Sequence, residues 1–161
     1  MSDAAGEVKF SSGKAWDANR GIAKVISNDS QGEGQVFIVS SVALDDILPG
    51  DSKVGLCKLD VEGHEDAVLR GCKSLLSERR IRDIAFEDLD YANSNLPSIF
   101  HKYGYTIFSL HSEIMRPRIA PAQADVQFLV RDGCNFIATL EPDRMKERFS
   151  KPGWRALRRR C

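Results

Sequence analysis

The sequence predicts a mixed α/β protein, and three observations carry that expectation. Two apolar runs, VGLCKLD at residues 54–60 and IRDIAFED at 81–88, read as strands buried on both faces of a parallel sheet. Between them Val68, Leu69, Cys72, Leu75 and Leu76 recur on one face of a helix. Ahead of Leu44 the pattern is different again, a set of short strands separated by turns.

The whole chain sets loose bounds. Its 161 residues, 42% of them hydrophobic, suffice for one domain with a real core, or for part of one. Lys and Arg number 23 and so do Asp and Glu, so no net field draws the chain to nucleic acid or an anionic membrane. No apolar run is long enough to span a bilayer, and MSDAAGEVKF lacks the apolar centre of a leader. Cys57, Cys72, Cys134 and Cys161 have neither paired nor zinc-like spacing and read as reduced thiols, so the expectation is a soluble, cytoplasmic protein.

Taken in order, residues 1–42 read as short strands and hairpin turns: EVKF, IAKVI and QVFIVSSV, the last two separated by SNDSQGEG as a hairpin turn. Gly32-Glu33-Gly34 in that turn is not read as a phosphate-binding loop, because a strand pattern follows where a helix N-terminus would be needed. LDDIL is a short helical turn capped by Asp45 and ended by Pro49-Gly50. The helix after Gly63 carries Glu65 and Asp66 in its first turn and Arg70 and Lys73 later, in keeping with its dipole. Strand, helix and strand in this order make a βαβ unit.

The next helix has Ser94 or Asn95 as its cap, Pro97 in its first turn, Gly104 as its stop, and Leu96, Ile99, Phe100 and Tyr103 as its buried stripe. YTIFSL and ADVQFLVRD read as two strands joined by HSEIMRPRIAPAQ, where Pro117 and Pro121 exclude regular structure. A linker of that length suits a lid or binding loop as well as a plain connection. NFIAT is the last strand, and a helix at Pro142 to Phe149 precedes a basic tail at 151–161 that holds Lys151, Arg155, Arg158, Arg159 and Arg160. The α/β domain proper is placed at 43–150.

The chemistry concentrates in CKLDVEGHEDAVLR. In an open α/β sheet ligands gather at the carboxyl ends of the strands, which singles out Asp60, Glu62, His64 and, at the end of the second run, Glu87 and Asp88. Glu65 and Asp66 satisfy the helix start, and Glu62 can do the same. His64 is either a general base working near neutral pH or an ordinary surface histidine. His101 and His111 read as structural or exposed. Asp60, Glu62 and His64 could also ligate a divalent ion, which keeps a metal-dependent hydrolase open.

These motifs together resemble the FkbM-type family of S-adenosylmethionine-dependent class I methyltransferases. The matching pieces are Leu44-Asp45-Asp46, Lys58 to Glu65, Leu75-Leu76, Phe86-Glu87 and Gly104-Tyr105, within residues 36 to 140. The resemblance implies a Rossmann-like class I methyltransferase sheet, here its second half with a terminal antiparallel hairpin. It implies methylation of a small-molecule or glycan hydroxyl, with Asp60, Glu62, His64 and Glu87 as catalytic residues and Asp60 and Val61 beside S-adenosylmethionine.

The glycine loop and ribose-binding acid that hold the cofactor in this family have no counterpart in the sequence. The expectation is therefore a truncated domain whose N-terminal cofactor half is absent, inactive alone, and prone to pair with that missing half or with itself. A non-catalytic interaction module built from the same half fold is the alternative.

Overall fold

The computed structural model describes residues 1–12, 24–26, 34–111, 117–122 and 135–151. It is mixed α/β with two sheets, and the chain divides into two compact units: Met1–Ser52 with Asp60–Glu78, and Lys53–Leu59 with Arg79–Cys161.

In the first unit, β1 (Gly6–Ser11), β2 (Lys24–Ile26) and β3 (Val36–Ser41) form an antiparallel sheet in the order β2-β1-β3. The expected hairpin between the second and third strands does not form. Every residue of β1, from Gly6 to Ser11, finds a partner in β3, from Ser41 to Val36, and β2 takes the other edge of β1. The longer ladder satisfies more backbone groups than a three-residue partner could, which favours β1 in the middle. Most of the turn SNDSQGEG lies outside the described residues; Gly34 sits at φ +83°, with β3 close behind it as read.

The helices of this unit are α1 (Leu44–Ile47), α2 (Glu65–Arg70) and α3 (Lys73–Ser77). Asp45 does not cap α1, which begins after Ala43 without a side-chain cap. Its carboxylate instead accepts hydrogen bonds from the amides of Ser74 (2.8 Å) and Leu75 (3.0 Å), in the first turn of α3. A residue already inside the first turn of its own helix points away from that helix's free amides, so it serves the neighbour's.

The single helix expected after Gly63 is broken at Gly71-Cys72, although Val68, Leu69, Cys72, Leu75 and Leu76 are all buried as its spacing required. The break has a packing cause. A Cβ on Gly71 would overlap the carbonyl oxygen of Ser2, so the N-terminal segment crosses directly over the junction.

The second unit holds β4 (Cys57–Leu59), β5 (Asp83–Glu87), β6 (Thr106–His111), β7 (Arg118–Pro121) and β8 (Asn135–Thr139), with α4 (Leu96–Lys102) and α5 (Pro142–Ser150). The sheet order is β4-β5-β8-β6-β7. β4 and β5 are parallel, as a βαβ connection requires, and β8 pairs antiparallel with both β5 and β6.

Two expectations change here, and a third falls outside the described residues. VGLCKLD is not buried on both faces: β4 ends the sheet, Lys58 is exposed, and Leu56 is 60% exposed. Pro121 does not exclude a strand, because β7 is the outer partner of β6, where a residue without an amide proton is tolerated. The segment ADVQFLVRD, read as the hairpin partner of YTIFSL, lies outside the described residues, as does the basic tail beyond Lys151.

Local signals place α4 well. The Ser94 hydroxyl accepts from the Leu96 amide (3.2 Å), and Pro97 lies in the first turn. At the other end Gly104 (φ +84°) donates to the His101 carbonyl and Tyr105 to that of Phe100, the paired bonds of a left-handed glycine cap. Phe86, Phe100, Phe136, Tyr91 and Tyr105 form a chain of ring contacts, with centroids 4.2 to 5.9 Å apart.

Asp83 is buried and fully occupied. Thr139 Oγ1 donates to it (2.7 Å), Arg144 Nη2 reaches both its oxygens (2.7 and 2.5 Å), and Arg82 Nε bonds Oδ2 (3.0 Å). This network ties α5 to β5 and β8.

Candidate functional site

The chain leaves β4 at Leu59 and turns sharply before α2. Val61, Glu62, Gly63 and His64 make a tight turn closed by the His64 amide donating to the Val61 carbonyl (3.2 Å), with Glu62 at φ +50° and Gly63 at φ +92°. Positive φ at both central residues defines a type I′ turn. Glycine adopts that conformation freely, whereas a glutamate there carries roughly 1 kcal/mol of backbone strain. The turn thus holds an exposed carboxylate where a glycine would fit more easily.

Glu65 and Asp66 lie in the first turn of α2 as the sequence suggested, but no side chain caps the helix. Glu65 Oε1 accepts from the Gly63 amide (3.1 Å), and Asp66 pairs with Arg70 one turn on.

Within the first unit a cavity of about 220 Å³ is lined by Met1, Phe10, Val25, Asp60, Val61, Glu62 and His64. Four of the residues singled out in the sequence therefore share one wall. Glu87, the last residue of β5, belongs to the second unit, where it is exposed and pairs in register with Asn135.

Sequence reasoning missed the rest of the lining. Phe10 and Val25 come from β1 and β2 and supply apolar side chains, but no motif marks them. It also missed Ser2, a buried hydroxyl that lies 3.0 Å from His64 Nε2 and donates to Asp3 Oδ1 (3.0 Å). Asp3 in turn faces Arg70 at 3.6 Å. The Ser2 hydrogen bond, foremost, holds the Asp3 carboxyl below its ordinary range, with Arg70 adding to the effect.

Asp60, Glu62 and His64 share the cavity without forming a ligand set. Among the described residues no three His, Cys, Asp or Glu side chains are grouped so as to hold a metal ion, and the hydrolase alternative gains no support. His101 is exposed on α4, and His111 is half-buried with its Nε2 2.9 Å from Ser109 Oγ. No helix among the described residues is long and apolar enough to cross a membrane.

Carboxylates and an imidazole thus meet beside apolar side chains in one cavity of the first unit. The particular family is set by comparison with known proteins: the methyltransferase FkbM domain matches residues 7–107, and the chain belongs to that family. The match takes in β1 to β3 as well as the motif-bearing stretch from Leu44 onward. No curated protein and no solved structure matches the chain.

Methyltransferases generally use S-adenosylmethionine, and the residues present fit part of that cofactor. The carboxylates of Asp60 and Glu62 suit a cationic sulfonium, and Phe10, Val25 and Val61 give an apolar flank. The volume is below the roughly 300 Å³ at which sites for whole ligands of this size begin. The fit extends to the reacting end of the cofactor.

Proposed function

We propose that this chain forms the acceptor side of an S-adenosylmethionine-dependent O-methyltransferase that acts on a hydroxyl of a small molecule or glycan. The observation that carries the reading is the cavity in which Asp60, Val61, Glu62 and His64 meet. When bound, S-adenosylmethionine supplies a methyl group on a positively charged sulfur. Asp60 and Val61, at the end of β4, would hold that end of the cofactor.

Glu62 and Asp60 orient the acceptor hydroxyl through their carboxylate oxygens. His64, with Nε2 engaged by Ser2, takes the hydroxyl proton at Nδ1 and passes it to solvent. The apolar side chains of Phe10 and Val25 keep bulk water from competing as acceptor. We infer that a further surface, a cofactor-binding half or a second copy of the chain, completes the cofactor seat.

The five-stranded sheet supports the finer fold reading. β4, β5 and β6 run in one direction and β8 is inserted antiparallel between β5 and β6, which suits the second half of a Rossmann-like sheet with a terminal antiparallel hairpin. We read Cys57 and the buried Cys72, whose thiol donates to the Val68 carbonyl (3.0 Å), as reduced thiols suited to a cytoplasmic setting. A non-catalytic interaction module draws on one observation, the exposure of Val36, Phe37, Ile38 and Val39 in succession on β3.

Transfer of tritiated methyl from S-adenosylmethionine to a panel of sugar and small-molecule hydroxyls tests the proposal. His64→Gln is expected to lower the rate about 100-fold. Transfer that survives both His64→Gln and Asp60→Asn at the wild-type rate contradicts it.

A further inference from the structure

The N-terminal segment and His64 are joined by a hydrogen-bonded chain through Ser2 and Asp3. Ser2 Oγ donates to Asp3 Oδ1 (3.0 Å) and lies 3.0 Å from His64 Nε2. A serine hydroxyl has one hydrogen, and an ionised carboxylate can only accept. With that hydrogen committed to Asp3, the contact to Nε2 is a hydrogen bond only if the ring nitrogen donates. His64 must then carry its proton on Nε2, which leaves the lone pair on Nδ1.

The geometry around this chain is built rather than incidental. Ser2 is 4% exposed. Its amide donates to the Val42 carbonyl (3.0 Å), and its carbonyl lies over Gly71, the one residue at that junction with no Cβ to collide with it. Arg70, on α2, faces the Asp3 carboxylate from its other side at 3.6 Å and favours its ionised state. Asp60 and Glu62 line the same cavity as the ring, and Glu65 and Asp66 stand in the first turn of α2. Ser2 Oγ contacts Nε2.

We propose that Ser2 and Asp3 are positioning residues for His64, holding it in the Nε2-protonated tautomer so that Nδ1 is the nitrogen able to accept a proton. The relay acts by orientation: Asp3 draws the Ser2 hydrogen away from the ring, Ser2 presents its oxygen to Nε2, and the imidazole is fixed in both tautomer and rotation. Its use in catalysis rests on the methyl-transfer reading above, whereas the tautomer itself does not.

The test reads the tautomer directly. The full chain is labelled with ¹⁵N-histidine, and its three histidine rings are assigned with His64→Gln. At a pH where imidazole is neutral, His64 is expected to show a protonated-type Nε2 and an unprotonated-type Nδ1. Ser2→Ala should yield a mixture of the two tautomers. Asp3→Ala should move the population toward the Nδ1-protonated form, since the Ser2 hydroxyl, no longer drawn to a carboxylate, is then free to donate to Nε2.

An Nδ1-protonated ring in the wild type, or a tautomer unmoved by both substitutions, overturns the proposal. Backbone amide spectra of each variant show whether it is folded; Asp3 is half exposed, so Asp3→Ala serves if Ser2→Ala does not fold. If the tautomer shifts as expected while no methyl transfer is seen from any acceptor, the relay stands and the methyl-transfer reading fails. Methyl transfer that falls in Ser2→Ala with the tautomer unchanged removes the relay and leaves that reading intact.

Discussion

Removing the Asp45 carboxylate should destabilise the first unit by about 2 kcal/mol, more than any exposed aspartate nearby. The figure follows from the two amides it serves, Ser74 at 2.8 Å and Leu75 at 3.0 Å, both at the start of α3 and some thirty residues away in sequence. Hydrogen bonds to a charged acceptor are each worth roughly 1.5–3 kcal/mol, and loss of a helix cap costs about 0.5–2 kcal/mol. Water can still reach the amide of exposed Ser74 once the carboxylate is gone, which keeps the total near the upper cap value. Asp45→Ala should therefore shift the folded-to-unfolded ratio by roughly 30-fold. Asp45→Asn, which keeps one accepting oxygen, should lose about half as much free energy. The exposed neighbour Asp46→Ala should stay within about 0.5 kcal/mol of wild type. Urea denaturation followed by circular dichroism measures all three. Equal midpoints for Asp45→Ala and Asp46→Ala would refute the reasoning.

Two further outcomes concern the second unit. Asp83→Ala strips Thr139, Arg82 and Arg144 of a buried acceptor and should cost about 3 kcal/mol, since Arg144 keeps Glu141 as a partner and can turn toward solvent while Thr139 stays buried; thermal melting reads this, and a loss below about 1 kcal/mol contradicts it. Burial pushes the Cys57 thiol above its ordinary value of 9.0. The fold's preference for the neutral thiol is fully present below that value and is lost as pH rises through the higher folded-state value. Alkylation of Cys57 by iodoacetamide, located by mass spectrometry, should be slower at pH 8 than for an exposed cysteine peptide, and an equal rate would contradict the burial argument.

Features governed by near neighbours in sequence were legible. Pro97 and Gly104 bracket α4 because their backbone constraints act on the residue itself, and NFIAT forms β8 over the same five residues, Asn135 to Thr139. The acidic start of α2 was readable for the same reason.

Features set by distant partners were not legible. Asp45 looked like the cap of its own helix, but the free amides nearest its carboxylate belong to α3. The helix after Gly63 kept its apolar face through Gly71, and nothing local announced that Ser2 would cross there. Pro121 seemed to forbid a strand until β7 proved to be the outer partner of β6. At the candidate site the wall from Asp60 to His64 is one short stretch and could be read directly. Phe10, Val25 and Ser2 reach the same place through strand pairing and loop packing, which no spacing rule encodes.

The cavity bounded by Asp60, Glu62 and His64 is proposed to receive the sulfonium end of the cofactor. That proposal is tested most directly by titrating the ¹⁵N-labelled chain with S-adenosylmethionine and, separately, with its demethylated neutral thioether. Amide shifts are expected to centre on Asp60, Val61, Glu62 and His64 and to be larger for the sulfonium than for the thioether, with the difference lost in Asp60→Asn. Shifts centred elsewhere, or equal for the two ligands, would contradict it.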